Sequence, residues 1–207
     1  MLKKLFLSSS VISQFMQVLP ISLLAAVIFV YACHAKLGRR FTHVNRYREA
    51  ALTVFVCYLT GLLALVWTPS NFWTYIWYYL LNGFPGTEIG RLFVLEYNLV
   101  PSIILYWKGE LTGGSWTQFM AFGNVMMFLP LGLLLPAIDR RISWRNMLFV
   151  FFGCSLLIEV FQPVVGRSFD VDDLIYNTLG GILGFLLFAL WQKVFPKAVA
   201  RCRGEET

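Results

Sequence analysis

Eight polar residues carry the side chains in this sequence best suited to chemistry: Asn124, Glu159, Gln162, Arg167, Asp170, Asp172, Asp173 and Asn177. Glu159 lies inside Leu156-Leu157-Ile158-Glu159-Val160-Phe161. An ionisable group at membrane depth costs on the order of 2.5–3.5 kcal/mol and is normally paired or turned to a cavity. Arg167 is the nearest cation, and a planar guanidinium can hold a carboxylate through two bonds at once. A Glu159–Arg167 ion pair is therefore expected, either as part of a site or as a lock between two helices. Glu159, Asp170 and Asp173 are the catalytic candidates, as bases or, together with Asp172, as oxygen ligands for a hard cation such as Mg or Ca. Asp170 has a further possible role, capping the helix that follows it. Asn124, Gln162, Arg167 and Asn177 are the substrate-binding candidates: three amides for hydrogen bonds and one cation for an anionic group.

The elements that must position these residues are membrane helices. Of the 207 residues, 58% are hydrophobic and only 14% charged. A soluble domain sits nearer 45–50% apolar and about 25% charged. The surplus is concentrated in runs long enough to cross a bilayer, which takes about 20 helical residues. Five spans are expected, at 18–35, 50–68, 119–137, 143–161 and 178–195. The fold class is all-α, a polytopic membrane helix bundle. Lys3 and Lys4 precede the first run, but Lys36, Arg39 and Arg40 follow it at once. That cluster resists export, so the run reads as an uncleaved span and not as a signal peptide. The connection 69–118 is unusual. Its stretch 72–81 is rich in Trp and Tyr, which favour the membrane interface. Its stretch 92–107 is apolar but broken by Glu96, Asn98 and Pro101, and reads as re-entrant or interfacial.

Charge sets the expected orientation. Twelve Lys and Arg residues fall in the loop 36–48, the loop at 140–145 and the tail from Lys193, against only Arg91, Lys108 and Arg167 in the opposite loops. Positive loops face the cytoplasm, which places the polar cluster on the extracytoplasmic face and Lys3 and Lys4 on the unfavoured side. The net charge of +6 is thus accounted for by membrane orientation. Nucleic-acid binding is excluded, because no soluble segment carries a basic face interleaved with aromatics. Cys33, Cys57, Cys154 and Cys202 show no ligand spacing and read as small hydrophobes. His34 and His43 lie far from the cluster. Gly180 and Gly184 form a small-x-x-x-small pattern that lets helices approach closely. No Ser-His-Asp set, zinc motif or phosphate loop is present.

The same residues resemble a known family. Asn98-Leu99-Val100-Pro101, Asn124-x-x-x-Phe128-x-Pro130-x-Gly132, Glu159-x-x-Gln162 and the run Gly166-Arg167-x-x-Asp170-x-x-Asp173-x-x-x-Asn177-Thr178-x-Gly180-Gly181 are similar in order and spacing to the motifs of VanZ-like proteins. Ser102 departs from the usual Phe, a difference read as one of packing. The resemblance covers 58–191 and implies an organisation of 1–50 as an N-terminal span with its basic loop, 51–195 as the VanZ-like membrane domain and 196–207 as a cytoplasmic tail. It implies a role in resistance to lipid-tailed glycopeptides such as teicoplanin, through binding or modifying an amphiphile at the outer leaflet. The alternatives are a membrane hydrolase or transferase acting on a lipid-linked cell-envelope substrate, and a non-catalytic scaffold or transporter; without an internal repeat, an inverted-repeat transporter is disfavoured. No cofactor is expected. The expected partners are a membrane lipid or lipid-linked amphiphile, and a glycopeptide antibiotic.

Orientation is directly testable. On a background without native cysteines, a cysteine introduced within 163–176 should react with an impermeant reagent in intact cells, and one within 36–48 should not. The reverse pattern would overturn the topology.

Overall fold

The computed structural model of the protein describes residues 7, 11–37, 45–84, 86–110 and 115–205. Lys3, Lys4, Arg39, Arg40 and His43 lie outside them. The elements are α1 (Val11–Leu37), α2 (Arg46–Val66), α3 (Phe72–Asn82), β1 (Tyr97–Asn98), α4 (Ser102–Trp107), α5 (Ser115–Ile138), α6 (Met147–Phe161), a 3₁₀ turn (Gln162–Val165), β2 (Phe169–Asp170), α7 (Val171–Val194) and α8 (Pro196–Arg203). Five stretches are long and apolar enough to cross a membrane: Ile12–Ala35, Arg46–Val66, Gln118–Ile138, Met147–Val165 and Val171–Val194. The chain is a multi-pass, all-α membrane protein. The last span begins well before the expected Thr178, because Asp170 caps it through the Asp172 N–H at 2.8 Å and two acids occupy its first turn. Carboxylates there suit the helix dipole. Asp172 and Asp173 therefore belong to α7, not to the loop ahead of it.

The core is aromatic and narrow. Phe128, Phe151, Phe185 and Phe188 are buried at its centre, while Phe149, Val27 and Leu190 point outward. This is the distribution of a bundle whose outer faces meet lipid and whose helices associate by close packing. The tightest seam joins α5 and α7. A Cβ added at Gly180 would stand 2.3 Å from the Val125 carbonyl oxygen, and one at Gly184 would stand 2.0 Å from that of Leu129. The two backbones run side by side in the same direction with no room for side chains between them. Pro130 lacks the N–H that would continue the α5 ladder, and close by Tyr58 Oη donates to the Met127 carbonyl at 2.9 Å, tying α2 to the seam.

The basic residues gather at one end. Asn45 caps α2 and its amide donates to the Arg201 carbonyl at 3.1 Å. Arg203 donates to the Pro136 carbonyl through Nε (3.2 Å) and Nη2 (2.9 Å), supplying donors where the end of α5 leaves carbonyls unpaired. The polar cluster lies at the opposite end. There the segment 92–98, which turns at Phe93 (φ 55°), bonds to the α6–α7 connection: Val94 N–H donates to Pro163 O (3.0 Å), Phe169 N–H donates to Glu96 O (3.0 Å), and Tyr97–Asn98 pairs in parallel with Phe169–Asp170. α4 is only six residues long, about 9 Å at 1.5 Å per residue. Residues 92–107 therefore add no sixth span to the five candidates among the described residues. Phe93, Leu95, Tyr106 and Trp107 remain exposed on this segment.

The seam gives a stability test. Gly184→Ala should force α5 and α7 apart and cost about 1–3 kcal/mol, the usual range for overpacking, read as a lower melting temperature in detergent. Gly153→Ala, where an added Cβ meets nothing within 4 Å, should be neutral or stabilising by about 0.5–1 kcal/mol. Equal melting of the two variants would exclude the close seam.

Candidate functional site

The last turn of α6 carries Glu159 into the bundle with 0% of its surface exposed. The chain then turns through Gln162–Val165 to Gly166, whose φ of 80° ends the 3₁₀ turn. A Cβ there would fall 1.5 Å from the Arg91 carbonyl oxygen, so only glycine allows both the left-handed backbone and the contact with the 92–98 segment. This reversal brings the Arg167 N–H to the Gln162 carbonyl at 3.0 Å and carries the chain back to Asp170. The Asp170 N–H donates to Glu159 Oε2 at 3.2 Å. With its amide oriented to match its neighbours, Gln162 donates to Glu159 Oε2 and to the Ser168 carbonyl, each at 3.1 Å. One carboxylate oxygen thus organises the whole connection.

The expected ion pair is not formed. Among the described residues no ion pair joins Glu159 to Arg167; the pair within 4.0 Å is His34–Glu49, at 3.0 Å. Arg167 Nη1 instead donates to the Leu65 carbonyl at 2.9 Å, at the end of α2 opposite its basic residues. Because Glu159 already takes two donors from its own connection, the guanidinium is not needed there, and it meets a carbonyl near the end of a helix. Arg167 still lies within electrostatic range of Glu159, as do Asp170 and Asp173.

The aspartates diverge. Asp170 caps α7 and accepts from the Asn98 amide at 3.2 Å. Asp173 accepts from the Asn124 amide on α5. Asp172, given a lesser part by the sequence, is buried and accepts from the Ser102 N–H at 3.0 Å and from the Ser102 hydroxyl. Each acid therefore fixes a different element, and among the described residues no group of three His, Cys, Asp or Glu side chains is placed to hold a metal ion. Asn177 is buried at 2% exposure. Its Oδ1 and Glu159 Oε1 are buried oxygens without a hydrogen-bond partner among the described residues. Such groups call for a donor, since a buried unpaired acceptor carries its full desolvation cost, about 1–3 kcal/mol.

The structure thus brings Glu159, Gln162 and Asp170 together directly, joins Asn124 to Asp173, leaves Asn177 Oδ1 without a partner among the described residues, and turns Arg167 to the Leu65 carbonyl. Sequence reasoning assigned no role to Asn98 and Ser102, although Asn98 stands in a quoted motif and Pro101 just ahead of Ser102 is a common helix-start signal. Their partners lie 72 and 70 residues away, beyond the reach of local pattern.

The cap at Ser102 can be checked. Asp172→Ala should destabilise the protein by about 1–3 kcal/mol and raise amide hydrogen exchange across Ser102–Trp107. Unchanged exchange there would show that Asp172 does not hold α4.

Comparison with known proteins agrees with this architecture. A model of the VanZ/LLP1 family matches residues 55–192. Protein VanZ of Enterococcus faecium is 34% identical over 111 residues, which cover 49% of this chain and 66% of that protein; the match thus spans just under two thirds of that relative's length. No solved structure matches. The matched residues include every member of the cluster from Asn98 to Asn177, and on this evidence the chain belongs to the VanZ/LLP1 family.

Proposed function

We propose that this protein binds an amphiphile at the outer leaflet through the polar cluster, and thereby contributes to tolerance of lipid-tailed glycopeptides such as teicoplanin. The observation that carries this reading is the pair of buried acceptors, Glu159 Oε1 and Asn177 Oδ1, which have no donor among the described residues. Hydroxyl or amine groups of a polar head supply such donors. Asn124 and Gln162 hold the neighbouring acids in place, and Arg167 offers the cation for an anionic group. The outward placement of the cluster rests on the charge bias between the two ends of the bundle. The exposed aromatic and aliphatic side chains of 92–107 suit a boundary between lipid and water, where Trp and Tyr favour the interface.

A second reading, a membrane hydrolase or transferase acting on a lipid-linked substrate, is favoured by the same free oxygen. A carboxylate oxygen held in place through its twin and aimed at no protein donor is positioned as a general base requires.

Drug tolerance of cells expressing each variant at matched membrane levels tests both. Arg167→Ala should abolish protection, and Arg167→Lys should restore it only in part, because lysine keeps the charge but loses the planar fork. Glu159→Gln separates the readings: near-complete loss favours catalysis, whereas a loss on the order of tenfold or less fits a weakened hydrogen bond. Glu88→Gln, in an exposed loop, is the control. Full protection by both Arg167→Ala and Glu159→Gln would show the cluster to be structural only.

A further inference from the structure

A cavity of about 120 Å³ lies beside Arg167, away from the acids, and is lined by Gln14, Gln17, Thr68, Ser70 and Asn71 among others. Its walls come from four places: α1, the end of α2, the start of α3 and the α6–α7 connection. Arg167 is its cation, and no acidic residue among the described residues lines it. Only one guanidinium bond is spent on protein, to Leu65; among the described residues the remaining N–H groups of Arg167 meet no acceptor. The first turn of α3 opens on the same cavity. Asn71 stands at its N-cap in the left-handed conformation, φ 62°, and its side chain makes no cap bond; the Phe72 N–H donates to the Pro69 carbonyl at 3.1 Å, and the N–H groups that follow in the first turn have no side-chain acceptor. Gln17 is buried and its amide donates to Thr74 Oγ1 at 3.1 Å, which holds α1 against α3 and fixes the wall. The Thr68 hydroxyl is spent on the Ala64 carbonyl at 2.8 Å and that of Thr74 on Gln17 Oε1 at 3.4 Å; an arginine with spare donors, a helix start without a side-chain cap, the Gln14 and Asn71 amides and the Ser70 hydroxyl still make a set of donors for a compact oxyanion.

We infer that this cavity is a phosphate pocket that receives the anionic head of the amphiphile, and that α1 completes it. The inference rests on the amphiphile reading above and adds two things to it: the class of the head group, and the contribution of a helix outside the family segment 55–192. The cavity is large enough for a phosphate group and its lining is mainly polar, so the acyl chains stay outside. Arg167 then parts the two sides, with the phosphate held toward α1 and the buried acids behind the guanidinium.

The test uses the full chain in detergent micelles and three probes: dioctanoyl phosphatidate, dioctanoyl phosphatidylcholine and inorganic phosphate. Ligand-dependent shifts in melting temperature give the apparent affinities. Phosphatidate should bind the parent and phosphatidylcholine should bind far more weakly. Arg167→Gln should lose on the order of tenfold or more in phosphatidate affinity, the worth of a charge-assisted bond. Gln14→Leu, an exposed position on α1 that leaves the fold intact, should lose about threefold to tenfold. Binding of inorganic phosphate alone, competitive with phosphatidate, would support the pocket and give its contribution without the lipid. Equal affinity for phosphatidate and phosphatidylcholine, or phosphatidate affinity unchanged in both variants, would overturn the inference. That failure is separable from failure of the amphiphile reading, which is decided by the drug tolerance of the Glu159 and Arg167 variants in cells.

Discussion

Glu159 brings a carboxylate to full burial between α6 and α7, and a group of that kind must be satisfied by protein because lipid offers no hydrogen bonds. The connection after it takes its shape from that demand. Gln162 and the Asp170 N–H both reach Oε2, which requires the chain to reverse within a few residues, and the reversal requires glycine at position 166. Once Asp170 is drawn to Glu159, it stands at the start of α7 as its cap and beside Asn98 as its acceptor. The segment 92–98 follows, since its N–H and C=O groups pair with the same connection. One buried carboxylate thereby sets the position of three elements, one of them distant in sequence.

The sequence reveals the spans because a bilayer demands about 20 apolar residues, and few soluble cores imitate that. It reveals the Gly180–Gly184 seam for a similar reason: only backbone contact rewards small residues at that spacing. The start of α7 is less legible. Hydropathy discounts Asp172 and Asp173, although a helix dipole welcomes acids in its first turn, and so the expected boundary falls at Thr178 when the helix begins at Val171. The partner of Arg167 is hidden for a different reason. A local reading assigns the guanidinium to the nearest buried carboxylate, but that carboxylate is already served by backbone and amide donors, and the competing acceptor is the Leu65 carbonyl, 102 residues away. Ser102 is hidden likewise: as a residue it suggests packing, and only the fold shows it closing on Asp172.

The membership of the cluster was therefore readable from composition and order, and its internal wiring was not. Asp170, Asp172 and Asp173 look alike in sequence, as three acids in four positions. In space they separate because successive positions on a helix start point in different directions around its axis. One faces β1, one faces α4 and one faces α5. A set of acids divided in this way is poorly built to share one cation and well built to hold three surrounding elements in register.

That division leaves Arg167 with a distinct position. The acids on one side keep an anion from approaching through the cluster, since like charges in a weakly screened environment repel over several ångströms. On the other side lie neutral donors and the uncapped start of α3. The field at the guanidinium is thus asymmetric, and an anion lowers its energy only by entering from the side that α1 and α3 enclose. α1 precedes the family segment, whereas α3, Arg167 and the Glu159 connection lie inside it, so only the α1 wall of the enclosure comes from outside the matched residues. A change on the α1 wall therefore acts on the side of Arg167 away from the buried carboxylate on which the rest of the fold depends.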